Sequence, residues 1–167
     1  MLVLGIDPGY ATVGYGVVKY EANRFTPVDY GAVITKPSDN FCRRLELIYD
    51  SFFGIMAKHR VDAVSIEKLY FNSNTTTAID VAQARGVILL AAQKSGIPVF
   101  EYTPLQVKQA VTGYRRAEKK QMIEMTRIIL KLEKPPKPDD TADALAMAIC
   151  HAHSAGSLLG SQYQGSK

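Results

Sequence analysis

Apolar residues recur along the chain with two periods, and the changes from one to the other mark out its elements. Residues 2–7 form a short apolar run that ends in a carboxylate, Asp7, and Pro8-Gly9 breaks it as a turn before a second strand over 14–20. Residues 27–35 alternate, with Val28, Tyr30, Ala32 and Ile34 on one side and Asp29, Gly31, Val33 and Thr35 on the other, as a third strand would. Asp39 or Asn40 can cap a helix running to about His59, in which Leu45, Ile48, Phe52 and Ile55 recur at spacings of three and four. Residues 61–67 predict a fourth strand, and it too ends in a carboxylate, Glu67. A polar loop over 68–77 carries Tyr70 and Phe71. A helix starts at Asn74 or Thr75 and runs to about Ser95; Gly96-Ile97-Pro98 stops it, and 99–102 makes a fifth strand. Pro104 and Ala117 open two further helices separated by Gly113-Tyr114-Arg115-Arg116, and Pro135, Pro136 and Pro138 precede a last helix from Asp139 to about His153. The small, polar residues after Ser154 predict a frayed tail.

Three strands in a meander, a helix, then strands alternating with helices predict an α/β fold: a mixed five-stranded sheet with helices on both faces. With 167 residues and no internal repeat or linker, one domain is expected over 1–153, followed by a flexible tail over 154–167. Apolar runs such as 87–92 fall far short of the roughly 20 residues that a membrane span requires. The start, Met-Leu-Val-Leu-Gly-Ile-Asp, has no basic region of the kind a secretory signal carries. A cytoplasmic protein without a membrane contact is therefore expected. Cys42 and Cys150 are far apart, with no Cys-x-x-Cys or Cys/His spacing, and suggest neither a disulfide nor a zinc site.

Charge is unevenly spread. The net charge is +4 and the pI near 9.0, compatible with a polyanionic partner. Residues 108–137 hold nine Lys or Arg against three Glu, so the rest of the chain is slightly acidic. Lys108, Arg115, Arg116, Lys119 and Lys120 lie in this segment. A basic stretch of this kind faces phosphate or is simply a solvated helix surface.

The acidic residues carry the chemistry. A carboxylate at the end of an apolar strand needs compensation for its burial, and Asp7 has no basic neighbour in sequence before Lys19. Glu67 occupies the same kind of position. Asp140 and Asp143 are one turn apart on the last helix, beside an apolar stripe of Ala142, Leu145, Ala146 and Ile149. If the three elements converge, four carboxylates meet in one region, which a pair of divalent cations makes tolerable, and oxygen-only ligands favour Mg²⁺ or Mn²⁺. Each residue taken singly also has a plain structural reading: Asp7 as a turn residue, Asp139 or Asp140 as a helix cap, Glu67 as a solvated strand end.

These residues sit in Gly5-Ile6-Asp7-Pro8-Gly9 with Gly14-Tyr15-Gly16, Ile66-Glu67, Gln83-Ala84-Arg85-Gly86 and Asp140-Thr141-Ala142-Asp143-Ala144-Leu145-Ala146. With Phe100-Glu101-Tyr102, Gln106-Val107-Lys108-Gln109 and Ala117-Glu118-Lys119 also in register, the order and spacing over 2–153 resemble the RuvC family of bacterial Holliday-junction resolvases, whose fold is similar to ribonuclease H. The resemblance implies a structure-selective endonuclease of recombination and repair. Such an enzyme makes paired nicks in a four-way junction and leaves 5′-phosphate ends. It implies that Asp7, Glu67, Asp140 and Asp143 are catalytic carboxylates holding two Mg²⁺ ions, with Asp139 as an extra acid beside the matched pair. Lys108 and Lys119 match basic positions near the family's active site, and Lys119 is the expected cation of the site itself. Arg115, Arg116 and Lys120 would bind phosphates further along. An aromatic at the Tyr70 position would stack on a base at the crossover, with Phe71 buried. The branch-migration proteins RuvA and RuvB are the implied partners.

The helix after the Tyr70 loop is apolar almost all round, with Ile79, Val81, Ala82, Ala84, Val87, Ile88, Leu89 and Leu90. That pattern predicts a homodimer, or a helix buried wholly within one chain. His59, His151 and His153 read as surface or helix-end residues rather than ligands. The rivals are a ribonuclease H acting on RNA–DNA hybrids, a non-catalytic junction-binding protein, and an actin-like or sugar-kinase ATPase, for which the chain lacks the length of a second lobe.

Overall fold

Alternation along the strands decides which side chain meets which layer of helices. The computed structural model describes residues 1–69, 75–155 and 161–162. Its elements are β1 (Leu2–Asp7), β2 (Thr12–Glu21), β3 (Arg24–Ile34), α1 (Phe41–His59), β4 (Ala63–Glu67), α2 (Thr75–Lys94), β5 (Val99–Tyr102), α3 (Pro104–Thr112), α4 (Lys119–Ile129), α5 (Asp139–Ser154) and β6 (Ser161–Gln162). The strands form one sheet in the order β3-β2-β1-β4-β5-β6. β1, β2 and β3 pair antiparallel, while β1, β4 and β5 run parallel, so the sheet is mixed as expected. To the five expected strands the fold adds β6, a two-residue strand from the segment expected as tail, antiparallel to β5.

Leu4, Ile6, Val13, Val17, Val64 and Ile66 point to one face and pack with Ile48, Phe52 and Met56 of α1 and Ala84 and Ile88 of α2. Val3, Val18 and Tyr102 point to the other, against Val107 and Val111 of α3, Met122 of α4 and Leu145 and Ile149 of α5. By the same period of two, Gly5 and Asp7 follow Val3, and Ser65 and Glu67 follow Ala63, onto the α5 side. There the sheet is lined with small residues and the helix lies close on it. A Cβ on Gly5 would overlap the carbonyl oxygen of Ala144, and one on Gly14 that of Asp140. The Ser65 hydroxyl donates to the Met147 carbonyl at 2.7 Å.

The helix ends have local causes. Asn40, not Asp39, caps α1, its side chain accepting from the Arg43 amide at 2.9 Å. Thr103 and Gln106 form a capping box at the start of α3, Pro104 takes the first helical position, and Gly113 ends the helix at φ 73°. α4 begins at Lys119, two residues later than the sequence suggests, with the Gln121 side chain accepting from the Glu118 amide at 2.9 Å. Val28, Tyr30 and Ile34, on the more apolar side of β3, are exposed because β3 is the edge strand and α5 lies chiefly over β1 and β2. Among the described residues no helix is long and apolar enough to cross a membrane.

Candidate active site

β1 and β4 are parallel neighbours with Ile6 paired to Ile66, so Asp7 and Glu67 end adjacent strands at the same level and on the same face. Asp7 pairs with Gly14 on its other side, and Gly14 lies directly under the Asp140 carbonyl. The first turn of α5 is thereby held over the strand ends that carry the other two acids. Pro138 takes the cap position without a side-chain cap bond, so Asp139 and Asp140 sit inside the first turn rather than serving as caps.

Asp7 feels the charges of the other three carboxylates. Burial, and then the charges of Asp143, Glu67 and Asp140, push the Asp7 carboxyl up to about 8. Burial also raises Glu67, with Asp143 adding to it, and raises Asp143 despite the opposing effect of Lys119. Lys119, the first residue of α4, donates from its ammonium to the Asp143 carboxylate. Glu67, Lys108, Lys119 and Asp143 line one cleft of about 150 Å³.

Among the described residues, no three His, Cys, Asp or Glu side chains are gathered closely enough to hold a metal ion as they stand. The donor chemistry nevertheless suits a hard cation, because all four side chains offer oxygen alone and a nearby positive charge would offset the repulsion that raises Asp7. Asp139 pairs with Lys137, 3.1 Å from its ammonium, and its charge still acts on Asp143.

The basic residues grouped in sequence are divided in space. Lys108 and Lys119 share the acidic cleft, whereas Arg115 lines a cavity with Gln106, Gln109 and His153, and Lys120 lines a groove with Tyr114 and Gln121. Arg116 is exposed on the turn between α3 and α4. Tyr70 and Phe71 lie outside the described residues.

The sequence reading of the histidines needs one correction. His151 is a core residue, 4% exposed, with its Nδ1 2.8 Å from the Tyr102 hydroxyl and its ring against Phe100. It lies two turns along α5 from Asp143, away from the acidic cleft. Its burial follows from the sheet position of Tyr102 and could not be read from α5 alone. His59 pairs with Asp29 at 2.7 Å, and His153 is exposed with Nδ1 3.1 Å from the Ala110 carbonyl.

Two further features belong to the neighbourhood of these residues. Tyr114 is 58% exposed on a turn braced by the Gln109 side-chain amide on the Gly113 carbonyl and the Tyr114 amide on the Thr112 hydroxyl. Its signal was an aromatic directly before Arg115-Arg116. Arg85, in the Gln83-Ala84-Arg85-Gly86 motif, forms an ion pair with Glu101 that ties α2 to β5.

The chain matches the family "Crossover junction endodeoxyribonuclease RuvC" over residues 3–151. It is 56% identical over 162 residues to the crossover junction endodeoxyribonuclease RuvC of Ruminiclostridium cellulolyticum, covering 96% of this chain and 98% of that one. The protein of the same name from Clostridioides difficile is 56% identical over 154 residues, covering 92% and 91%. Among solved structures, Thermus thermophilus RuvC superposes with a TM-score of 0.89 at 35% identity, covering 98% of this chain and all of the other. The T. thermophilus RuvC complex with a Holliday junction substrate gives 0.90 at 34% identity, with the same coverage. With the family match running from β1 through β5 and through the helices down to His151, and relatives more than half identical along nearly their full length, this chain belongs to the RuvC family of crossover junction endodeoxyribonucleases.

Proposed function

We propose that the chain resolves four-way DNA junctions by paired symmetric nicks in recombination and repair, hydrolysing phosphodiesters to leave 5′-phosphate and 3′-hydroxyl ends. One observation carries this reading: acids suited to divalent cations and lysines suited to phosphate line the same cleft. Asp7, Glu67, Asp140 and Asp143 would hold two Mg²⁺ ions, or Mn²⁺, which when bound supply an activated water and neutralise the leaving oxygen. Lys108 and Lys119 place the scissile phosphate against these carboxylates. Arg115, Arg116 and Lys120, which do not line that cleft, hold phosphates further along the arms. Tyr70 stacks on a base at the crossover and selects the branch point. Residues 1–153 form the nuclease domain, acting in the cytoplasm after RuvA and RuvB have moved the junction.

The homodimer is supported by α2. Its exposed face is a stripe of Ile79, Gln83, Gly86 and Leu90, spaced four, three and four residues apart, while Ala84, Ile88, Ala91 and Ala92 face the core. Ile79 and Leu90 are 54% and 51% exposed, and the spacing is that of a helix seam in which small Gly86 allows close approach.

The deciding experiment offers the protein a mobile four-way junction, a linear duplex and an RNA–DNA hybrid in Mg²⁺. Symmetric nicking of the junction alone is expected. Cleavage of the hybrid in preference would replace this reading with a ribonuclease H activity.

A further inference from the structure

Lys119 sits at a position where the helix itself gives an ammonium no support. It is the first residue of α4, where the helix dipole disfavours positive charge, and half of its side chain is exposed. Its partner there is the Asp143 carboxylate, one of the four acids of the site. Among the described residues, no three of the acidic side chains form a ligand set as they stand. We infer that the Lys119 ammonium is a counter-ion of Asp143 that a divalent cation displaces toward the DNA, so that metal loading and phosphate binding are coupled through this one side chain. The inference rests on the reading of these carboxylates as a metal site.

Three observations support the exchange. Lys119 reaches into the acidic group, its ammonium on the Asp143 carboxylate and its side chain lining the same cleft as Glu67, where a metal's charge would sit. The backbone beneath it is fixed, because Ala117, Met122 and Thr126 are buried and Gln121 boxes the helix start. Movement of the flexible four-carbon stem is therefore enough, and α4 need not shift. Lys108 lines the same cleft without an ion pair to any of the four acids among the described residues, and so provides an internal comparison. Once a dication sits among the carboxylates, the ammonium is repelled by it and attracted to the incoming phosphate.

The coupling must be reciprocal. In the absence of DNA, calorimetric titration with Mn²⁺ should show Lys119→Met binding roughly tenfold more tightly than wild type, with Lys119→Arg and Lys108→Met close to wild type. Junction affinity, measured in Ca²⁺ and again in EDTA, should rise with the metal in wild type and rise clearly less in Lys119→Met, which has no ammonium to release. Thermal melts that match wild type establish that the variant is folded. Unchanged or weaker Mn²⁺ binding by a folded Lys119→Met, or an equal Ca²⁺ gain in both proteins, would overturn the exchange while leaving the metal site standing. No Mn²⁺ binding by any of the four proteins would instead remove the metal site, and the exchange with it.

Discussion

At Asp7, burial and three neighbouring carboxylates act in one direction, and the consequence is a stability that depends on pH. The carboxyl titrates near 8 in the folded chain against an ordinary 3.8, so the folded state holds this proton more tightly than the unfolded state does. Stability without metal is therefore lost progressively as pH rises from about 4 through about 8. Asp7→Asn removes the charge and keeps the shape. In EDTA at pH 8 it should melt several degrees above wild type, with the gap closing toward pH 4 and also on adding Mg²⁺ to wild type. Buried His151 works in the opposite sense, because burial lowers its proton affinity and its contribution is lost as pH falls through and below its ordinary 6.5. For that reason the informative quantity is the difference between variant and wild type, not either melting curve alone. The same substitution should abolish junction cleavage and spare junction binding, and Glu67→Gln and Asp143→Asn should do likewise, since the acids act as one unit. Near wild-type nicking by Asp7→Asn would remove these residues from the site.

Among the elements, α5 is positioned by what the sheet lacks. Gly14 pairs with Asp7 and lies under the Asp140 carbonyl, so a methyl group there has to push the start of α5 away from the strand ends. Gly14→Ala should cost about 1–3 kcal/mol of stability and lower cleavage well beyond what the lost stability accounts for. Gly54→Ala is the contrast: it lies inside α1 with open space around it, and should gain up to about 1 kcal/mol while leaving cleavage alone. If both variants behaved alike, close contact at Gly14 would not be what sets the site. In the turn between α3 and α4, replacing Arg115 and Arg116 by Ala should lower the log-log salt slope of junction binding by roughly two, if each meets one phosphate. An unchanged slope would make that pair plain surface. Strands and helices were legible in sequence because period and breakers are local, and so were the acids at the ends of β1 and β4, because both strands show their carboxylate at the end of an apolar run. The division of the basic residues was not legible. It depends on the left-handed turn at Gly113 and on how α3 packs against α4, and neither leaves a periodic trace. The burial of His151 is hidden from sequence for a similar reason, since its hydrogen-bond partner Tyr102 belongs to another element 49 residues away.

For the whole molecule the question is how two cuts are made as one event. The described residues of a single chain give the acidic cleft of Glu67 and Asp143, yet resolution requires opposite strands to be cut before the junction separates, which two-fold symmetry would arrange by placing a second copy of that cleft on the matching strand. The seam available for this is the Ile79, Gln83, Gly86 and Leu90 stripe, on the far side of α2 from the residues that hold it to the core. Leu90 is half-exposed and not part of the buried core, so Leu90→Glu should leave the fold intact while placing two like charges at a symmetric interface. Sedimentation should then give a dimer for wild type and a monomer for the variant, with matching circular dichroism. A supercoiled plasmid that extrudes a cruciform separates the functional outcomes: coordinated nicks across the junction yield linear DNA, whereas a single nick relaxes the plasmid, reabsorbs the cruciform and leaves a nicked circle. Wild type should give mainly linear product and Leu90→Glu mainly nicked circles, with Asp7, Glu67, Asp140 and Asp143 unaltered. Monomeric wild type, or a monomeric variant that linearises the plasmid as efficiently as wild type does, would show that the α2 stripe does not couple the two cuts.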